Sequence, residues 1–195
     1  MSRPPGRDVG LFFAGAALFV WSLVLARRPG IDRVEEEIFR AANDAPDELR
    51  IPVRSVMQMG TFGTVPVVSA VAFLARKPRL AAALGVGGTA AWVLAKQAKV
   101  LGGRPRPEGV LTDVRTREKI DGDLGWVSGH AAVATSIAAT AWIATPRWSR
   151  PFLAAGTLTT AFGRMFVGAH LPLDLVGGAG LGMMVSAVAR RFLPD

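Results

Sequence analysis

Long uncharged runs constrain this chain more than any other feature. Val9–Ala26, Ser55–Ala75, Leu80–Ala95 and Leu175–Ala189 contain no ionisable side chain, and Gly129–Pro146 and Pro151–Gly163 contain only His130. A helix crossing the hydrocarbon core of a bilayer needs about 20 residues, with a range near 17–25. Several runs are shorter than that, so their helices must extend into flanking polar residues. Counting the runs predicts an all-α, integral-membrane six-helix bundle with spans near 9–26, 53–75, 80–98, 129–145, 151–166 and 172–189. The first run follows Arg3 and Arg7, as a signal peptide would. Apolar runs nevertheless recur to the end of the chain, and no cleavage motif introduces a soluble domain, so a retained helix is expected.

Residues 31–50 separate the first two spans and hold seven acids against three arginines. Ile31, Val34, Ile38 and Ala41 share one helical stripe, which predicts an amphipathic helix at the membrane interface, ended by Asn43–Pro46. Gly178 and Gly182 stand four apart in the last span, a spacing that lets helices approach closely. No repeat or linker divides the chain, so residues 1–195 read as one domain, with the chemistry in about 96–178.

The net charge of +8 would suit a nucleic-acid partner, but the basic residues lie between apolar runs. That placement favours membrane topology and anionic lipid substrates, with the bilayer and a lipid phosphate as partners and no nucleic acid. Cysteine is absent, which removes disulfide, thiolate and zinc-thiolate chemistry. Arginine outnumbers lysine 19 to 4, a bias that points to a high-GC bacterial genome.

Chemistry concentrates in three clusters that use both histidines of the chain. Lys99 is followed after six residues by Arg106-Pro107, with Gly102-Gly103-Arg104-Pro105 between them. Glycines let a backbone approach a ligand, and arginine offers a phosphate two parallel hydrogen bonds. Ser128-Gly129-His130 opens the fourth span. Serine is a good N-cap, and the free N–H groups of a first turn attract anions. Arg164, His170 and Asp174 close the set. His170 and Asp174 are four apart and share a helical face, so the carboxylate can fix the imidazole tautomer and leave the other nitrogen free to attack. Pro172 suits the first turn of the last helix.

Taken singly, each cluster also fits a blander role: an interfacial ion pair, a plain helix cap, or basic anchoring. Jointly they would supply two imidazoles, cations and one carboxylate, the requirements of phosphoryl transfer without a metal. Alternating helices put all three clusters on one side of the membrane. Asp113, Asp121 and Asp123 of the 100–127 loop are the remaining candidates for a magnesium site, although a solvated loop explains them better.

In order and spacing these residues resemble the type 2 phosphatidic acid phosphatase superfamily, which also includes the vanadium haloperoxidases. Its pattern is K-x6-RP, then PSGH, then SR-x5-H-x3-D. Lys99, Arg106 and Pro107 match the first motif, Ser128, Gly129 and His130 the second, and Arg164, His170 and Asp174 the third. The likeness covers about residues 31–190. It implies a nucleophilic His170 that forms a phosphohistidine, an orienting Asp174 and a general acid His130. It implies phosphate binding by Lys99, Arg106, Arg164, Ser128 and the Gly129 amide, with no metal or other cofactor. Val127 stands where the motif has proline and Gly163 where it has serine. Arg104 is a further candidate for a headgroup or diphosphate contact.

The expected activity is hydrolysis of a lipid phosphomonoester or diphosphate, polyprenyl or glycerolipid. The alternatives are phosphate transfer between a lipid and another acceptor, or a non-catalytic lipid-binding domain. Fourteen of the 23 basic residues fall on the side of the clusters and nine on the other. The turn Arg76-Lys77-Pro78-Arg79 is short and basic, however, the kind of loop in which the positive-inside rule is strongest. Both termini are therefore expected in the cytoplasm and the active site outside it.

Overall fold

The computed structural model describes residues 6–193 and is built from helices: α1 (Gly6–Ala26), α2 (Arg33–Asn43), α3 (Arg50–Met57), α4 (Thr64–Leu74), α5 (Pro78–Gly102), α6 (Gly129–Ala144), α7 (Arg150–Phe166) and α8 (Pro172–Ala189). Among the described residues no strand forms; Pro105 and Leu124 make one isolated bridge. α5 starts at a proline and stops where Gly103 turns left-handed (φ 58°) and donates to the Lys99 carbonyl. The next 25 residues carry no helix longer than one turn. This loop is tied down from outside. The Asn43 amide donates to the carbonyls of Arg115, Met165 and Phe166, and Arg117 donates to those of Asn43, Ala45 and Phe166 while lying over the Phe166 ring.

α8 is the axis of the bundle and packs on α1, α5 and α6. Glycine makes those approaches possible. A Cβ at Gly182 would lie 2.5 Å from the Ala132 carbonyl and 2.8 Å from the Thr135 Cβ, and one at Gly15 would lie 2.6 Å from the Gly180 carbonyl. Backbone cannot yield as a side-chain tip can. Gly182→Ala is therefore expected to destabilise the fold by about 1–3 kcal/mol, the usual cost of overpacking. Gly10 is also helical but faces open space, with nothing within 4 Å. Gly10→Ala should leave stability equal or slightly raised. Thermal unfolding of the two variants in one detergent checks the contrast, and similar midpoints would refute the packing argument.

Among the described residues three helices are long and apolar enough to cross a membrane: Asp8–Ala26, Pro78–Gly102 and Pro172–Ala189. The expected second span, 53–75, is not one rod. It divides into α3, a turn at Gln58–Gly60 and α4, bent by 69°. The cause is tertiary. Gly60 lies against the start of α6, where a Cβ would meet the His130 carbonyl at 2.7 Å, and the Thr61 and Thr64 hydroxyls donate to the Gln58 carbonyl. α6 and α7, at 16 and 17 residues, are short for spans. By length and composition alone, three spans are met among the described residues, or four with the bent pair.

α2 ends at Asn43, where the sequence predicts the end of the amphipathic helix, and its apolar stripe faces away from the protein: Val34 is 61% and Ile38 48% exposed. Glu35, Phe39, Ala42 and Asn43 face the protein instead.

Candidate functional site

The three clusters meet at one end of the bundle, around a cavity of about 400 Å³. Lys99, Arg106, Gly129, His130, Arg164 and His170 all line it. Each is placed by an element boundary. Lys99 is in the last turn of α5, Gly129 and His130 in the first turn of α6, Arg164 in the last turn of α7, and His170 in the short turn before α8. Ser128 fixes the start of α6 twice: its N–H donates to the Asp174 carbonyl (2.9 Å) and its hydroxyl accepts from the Ala131 N–H (3.4 Å). Close contact between Gly178 and Ser128 brings α8 and α6 together at the same level. The two histidines are thereby held on facing elements.

His170 is buried, and its Nδ1 lies 3.4 Å from Asp174 Oδ2. Asp174 is fully enclosed; the same Oδ2 accepts the Leu171 N–H at 2.9 Å. The carboxylate is thus locked beneath the imidazole, outside the cavity. Burial pushes the His170 imidazole well below its ordinary pKa, and Arg164, Lys99 and Arg106 add to the effect. The ring is neutral at neutral pH, with a lone pair to give.

The cations are held by backbone and keep donors for an anion. Arg106 donates to the carbonyls of Gly122 (2.5 Å), Asp121 (2.8 Å) and Ala169 (2.8 Å), and Lys99 to those of Leu124 (2.8 Å) and Gly125 (3.1 Å). Arg164 pairs with Glu118, and its buried Nε has no hydrogen-bond partner. A buried N–H left unpaired costs free energy.

Two expected ligands lie elsewhere. Ser128 is fully buried with its hydroxyl occupied as the α6 cap, so it does not line the cavity. Arg104 is likewise absent from the lining. It is buried beyond Asp174 and forks onto Glu35, which corrects its reading as a headgroup contact. The two departures from the motif are accommodated by packing. Val127 is buried in the core, and a Cβ at Gly163 would already lie 3.1 Å from Met57 Sδ and Val53 Cγ1 of α3.

The cavity also holds residues that the motifs do not mark: Glu118, Lys119 and Asp121 from the loop, and Phe62, Trp92 and Lys96 at its mouth. Phe62 packs on Trp92 with ring centroids 4.7 Å apart, and the Lys96 ammonium sits 3.7 Å above the Trp92 ring. Among the described residues no group of three or more His, Cys, Asp or Glu is arranged to hold a metal. The site offers one imidazole backed by a carboxylate, a second imidazole at a helix N-terminus, and three cations.

The family model of the PAP2 superfamily matches residues 79–195. An undecaprenyl-diphosphatase of Sulfolobus acidocaldarius is 25% identical over 122 residues, which span 63% of this chain and 59% of that protein, less than two thirds of its length. In structure, LpxE of Aquifex aeolicus superposes with a TM-score of 0.75 at 22% identity, over 84% of this chain and 98% of its own. A transmembrane PAP2 type phosphatidylglycerolphosphate phosphatase of Bacillus subtilis gives 0.71 at 20% identity, over 92% and 96%. At these identities the two structures speak for the fold.

Proposed function

This chain belongs to the PAP2 superfamily, and from that premise we propose that it is an integral-membrane lipid phosphatase working through a phosphohistidine. The observation that carries the reading is the convergence of both histidines with Lys99, Arg106 and Arg164 on one cavity. The phosphate sits among Arg164, Arg106, Lys99 and the first amides of α6. His170 Nε2 attacks phosphorus while Asp174 holds Nδ1. The bond from phosphorus to the lipid oxygen breaks as the P–N bond forms, and His130 gives that oxygen its proton. Water then attacks the phosphohistidine, leaves its proton on His130, and releases inorganic phosphate.

Phe62 and Trp92 at the mouth suit a lipid tail arriving along the outer faces of α4 and α5. Val67, Val71, Phe73, Val86 and Leu94 on those helices are exposed, as side chains facing acyl chains would be. The same reading takes α1, the bent α3–α4 pair and α5 to α8 as six membrane segments, with α2 at the interface on Val34 and Ile38. The basic 76–79 turn then lies in the cytoplasm with both termini, and the site opens on the other side.

The test is phosphate release by detergent-solubilised protein across a panel of polyprenyl and glycerolipid mono- and diphosphates. Release from at least one lipid is expected; none from any would end the phosphatase reading. Orthovanadate adopts the trigonal bipyramid expected when His170 attacks, so it should inhibit competitively. EDTA should not inhibit. Activity lost to EDTA and restored by magnesium would contradict the mechanism and redirect attention to Asp113, Asp121 and Asp123.

A further inference from the structure

Glu35 is a buried acid with no part in the mechanism above, yet it is bonded to the site. It projects inward from α2 and takes both arms of Arg104, Oε2 to Nη2 at 2.5 Å and Oε1 to Nη1 at 2.8 Å. Oε1 also accepts the N–H of Leu173 in the first turn of α8 at 3.0 Å. Arg104 Nη1 in turn reaches Asp174 Oδ1 at 3.4 Å, and the other oxygen of Asp174 faces His170. One continuous line of contacts therefore runs from α2 to the imidazole: Glu35, Arg104, Asp174, His170. Glu35 and Arg104 are each about as buried as a core residue, at 6% exposure, and neither touches the cavity.

Geometry gives the line a purpose. Asp174 must keep one oxygen under His170, while its other oxygen faces a buried guanidinium. A guanidinium free to turn would close on Asp174 in a two-pronged pair and draw the carboxylate off the imidazole. The fork of Glu35 fixes the plane of Arg104 and leaves Asp174 a single, longer contact. Glu35 also balances a charge that would otherwise be buried with too little compensation. Its bond to Leu173 anchors the same assembly to the first turn of α8, which carries Asp174 and directly follows His170 and Leu171.

We propose that Glu35 and Arg104 are positioning residues for the reaction, holding Asp174 in register beneath His170 without touching substrate; this rests on the phosphatase reading above. α2 is then an arm of the active site as well as an interfacial helix.

The test is steady-state kinetics of the full chain in detergent, on the lipid phosphate that the wild type hydrolyses best, normalised to the monodisperse fraction. Four variants are compared: Glu35→Gln, Glu35→Asp, Arg104→Met and the double Glu35→Gln/Arg104→Met. Partners that orient a functional imidazole from behind matter by about 10–100-fold. Glu35→Gln should lower kcat within that range with little change in KM, and Glu35→Asp should recover part of the loss. The acid limb of kcat/KM should move to lower pH in Glu35→Gln, since removing a negative charge makes the His170 imidazolium less favourable. The charged and titratable groups facing His170 from the other elements all remain: Lys99 of α5, His130 of α6, Arg164 of α7, Asp174 of α8 and Arg106 of the loop.

The double variant separates positioning from support, and it also serves if Glu35→Gln alone fails to fold. With both charges gone the burial penalty is relieved, so thermal stability should return towards wild type while kcat stays low. A folded double variant with wild-type kcat would overturn the proposal, as would a folded Glu35→Gln with wild-type kcat and an unmoved acid limb. Inactive wild type on the whole panel would overturn the phosphatase reading and this proposal with it. Active wild type beside unimpaired variants would overturn this proposal alone.

Discussion

His170→Ala is expected to abolish turnover, by about 10⁴-fold or more, while leaving a folded, detergent-stable protein. The size follows from the chemistry. Without the imidazole there is no covalent intermediate, and removal of a nucleophile that acts as one unit with its partners typically costs that much. The expected persistence of the fold follows from how the turn is held. The backbone of 167–171 is fixed by bonds that do not involve the ring: Ala169 and His170 N–H to the Arg164 carbonyl, Gly168 N–H to Met165, and Leu171 N–H to Asp174. Phosphate release by the purified variant, with gel filtration as the control, checks it. Turnover within a few-fold of wild type in a monodisperse variant would remove His170 from the role.

The second large effect depends on the leaving group. His130 sits at the N-terminus of α6 and lines the same cavity as His170, where it can protonate a departing oxygen. General acid catalysis is worth about 10²–10⁴-fold when the leaving group is a poor one. His130→Ala should lose activity in that range on a lipid monophosphate, whose alkoxide is a very poor leaving group. On an activated aryl phosphate, whose phenolate departs readily, the loss should be far smaller. Paired kcat/KM values for the two substrates decide the matter. Equal losses on both would assign His130 to binding or structure.

Legibility in the sequence followed the range of the interactions. α8 and the starts of α6 and α7 could be read because apolar runs and prolines are local signals. The pairing of His170 with Asp174 was readable from spacing alone, as one helical turn fixes it. The bend between α3 and α4 was not, since nothing in Met59-Gly60-Thr61 announces that His130, 70 positions on, will lie against Gly60. The period of α2 showed two faces but not which one meets the protein. In a bilayer the apolar face can look outward, and here Val34 and Ile38 do so while Glu35 turns in. Arg104 looked like a ligand because its partner Glu35 lies 69 residues away. Ser128 caps α6, as a serine before Gly129 suggests, while its burial away from the cavity depends on the packing of α8 against α6. Glu118 carries no local signal, being a carboxylate in a polar loop outside any motif; its contact with Arg164 exists only in the folded chain.

The central claim is a phosphorus–nitrogen bond on His170. Mixing the protein with a lipid carrying labelled phosphate, and stopping the reaction within one turnover in alkaline denaturant, should trap label on the protein. That label should be stable to base, lost in acid as expected for phosphohistidine, confined to the peptide containing His170, and absent from His170→Ala. Label on any other residue would contradict the account, as would full turnover by wild type with no labelled protein at any quench time.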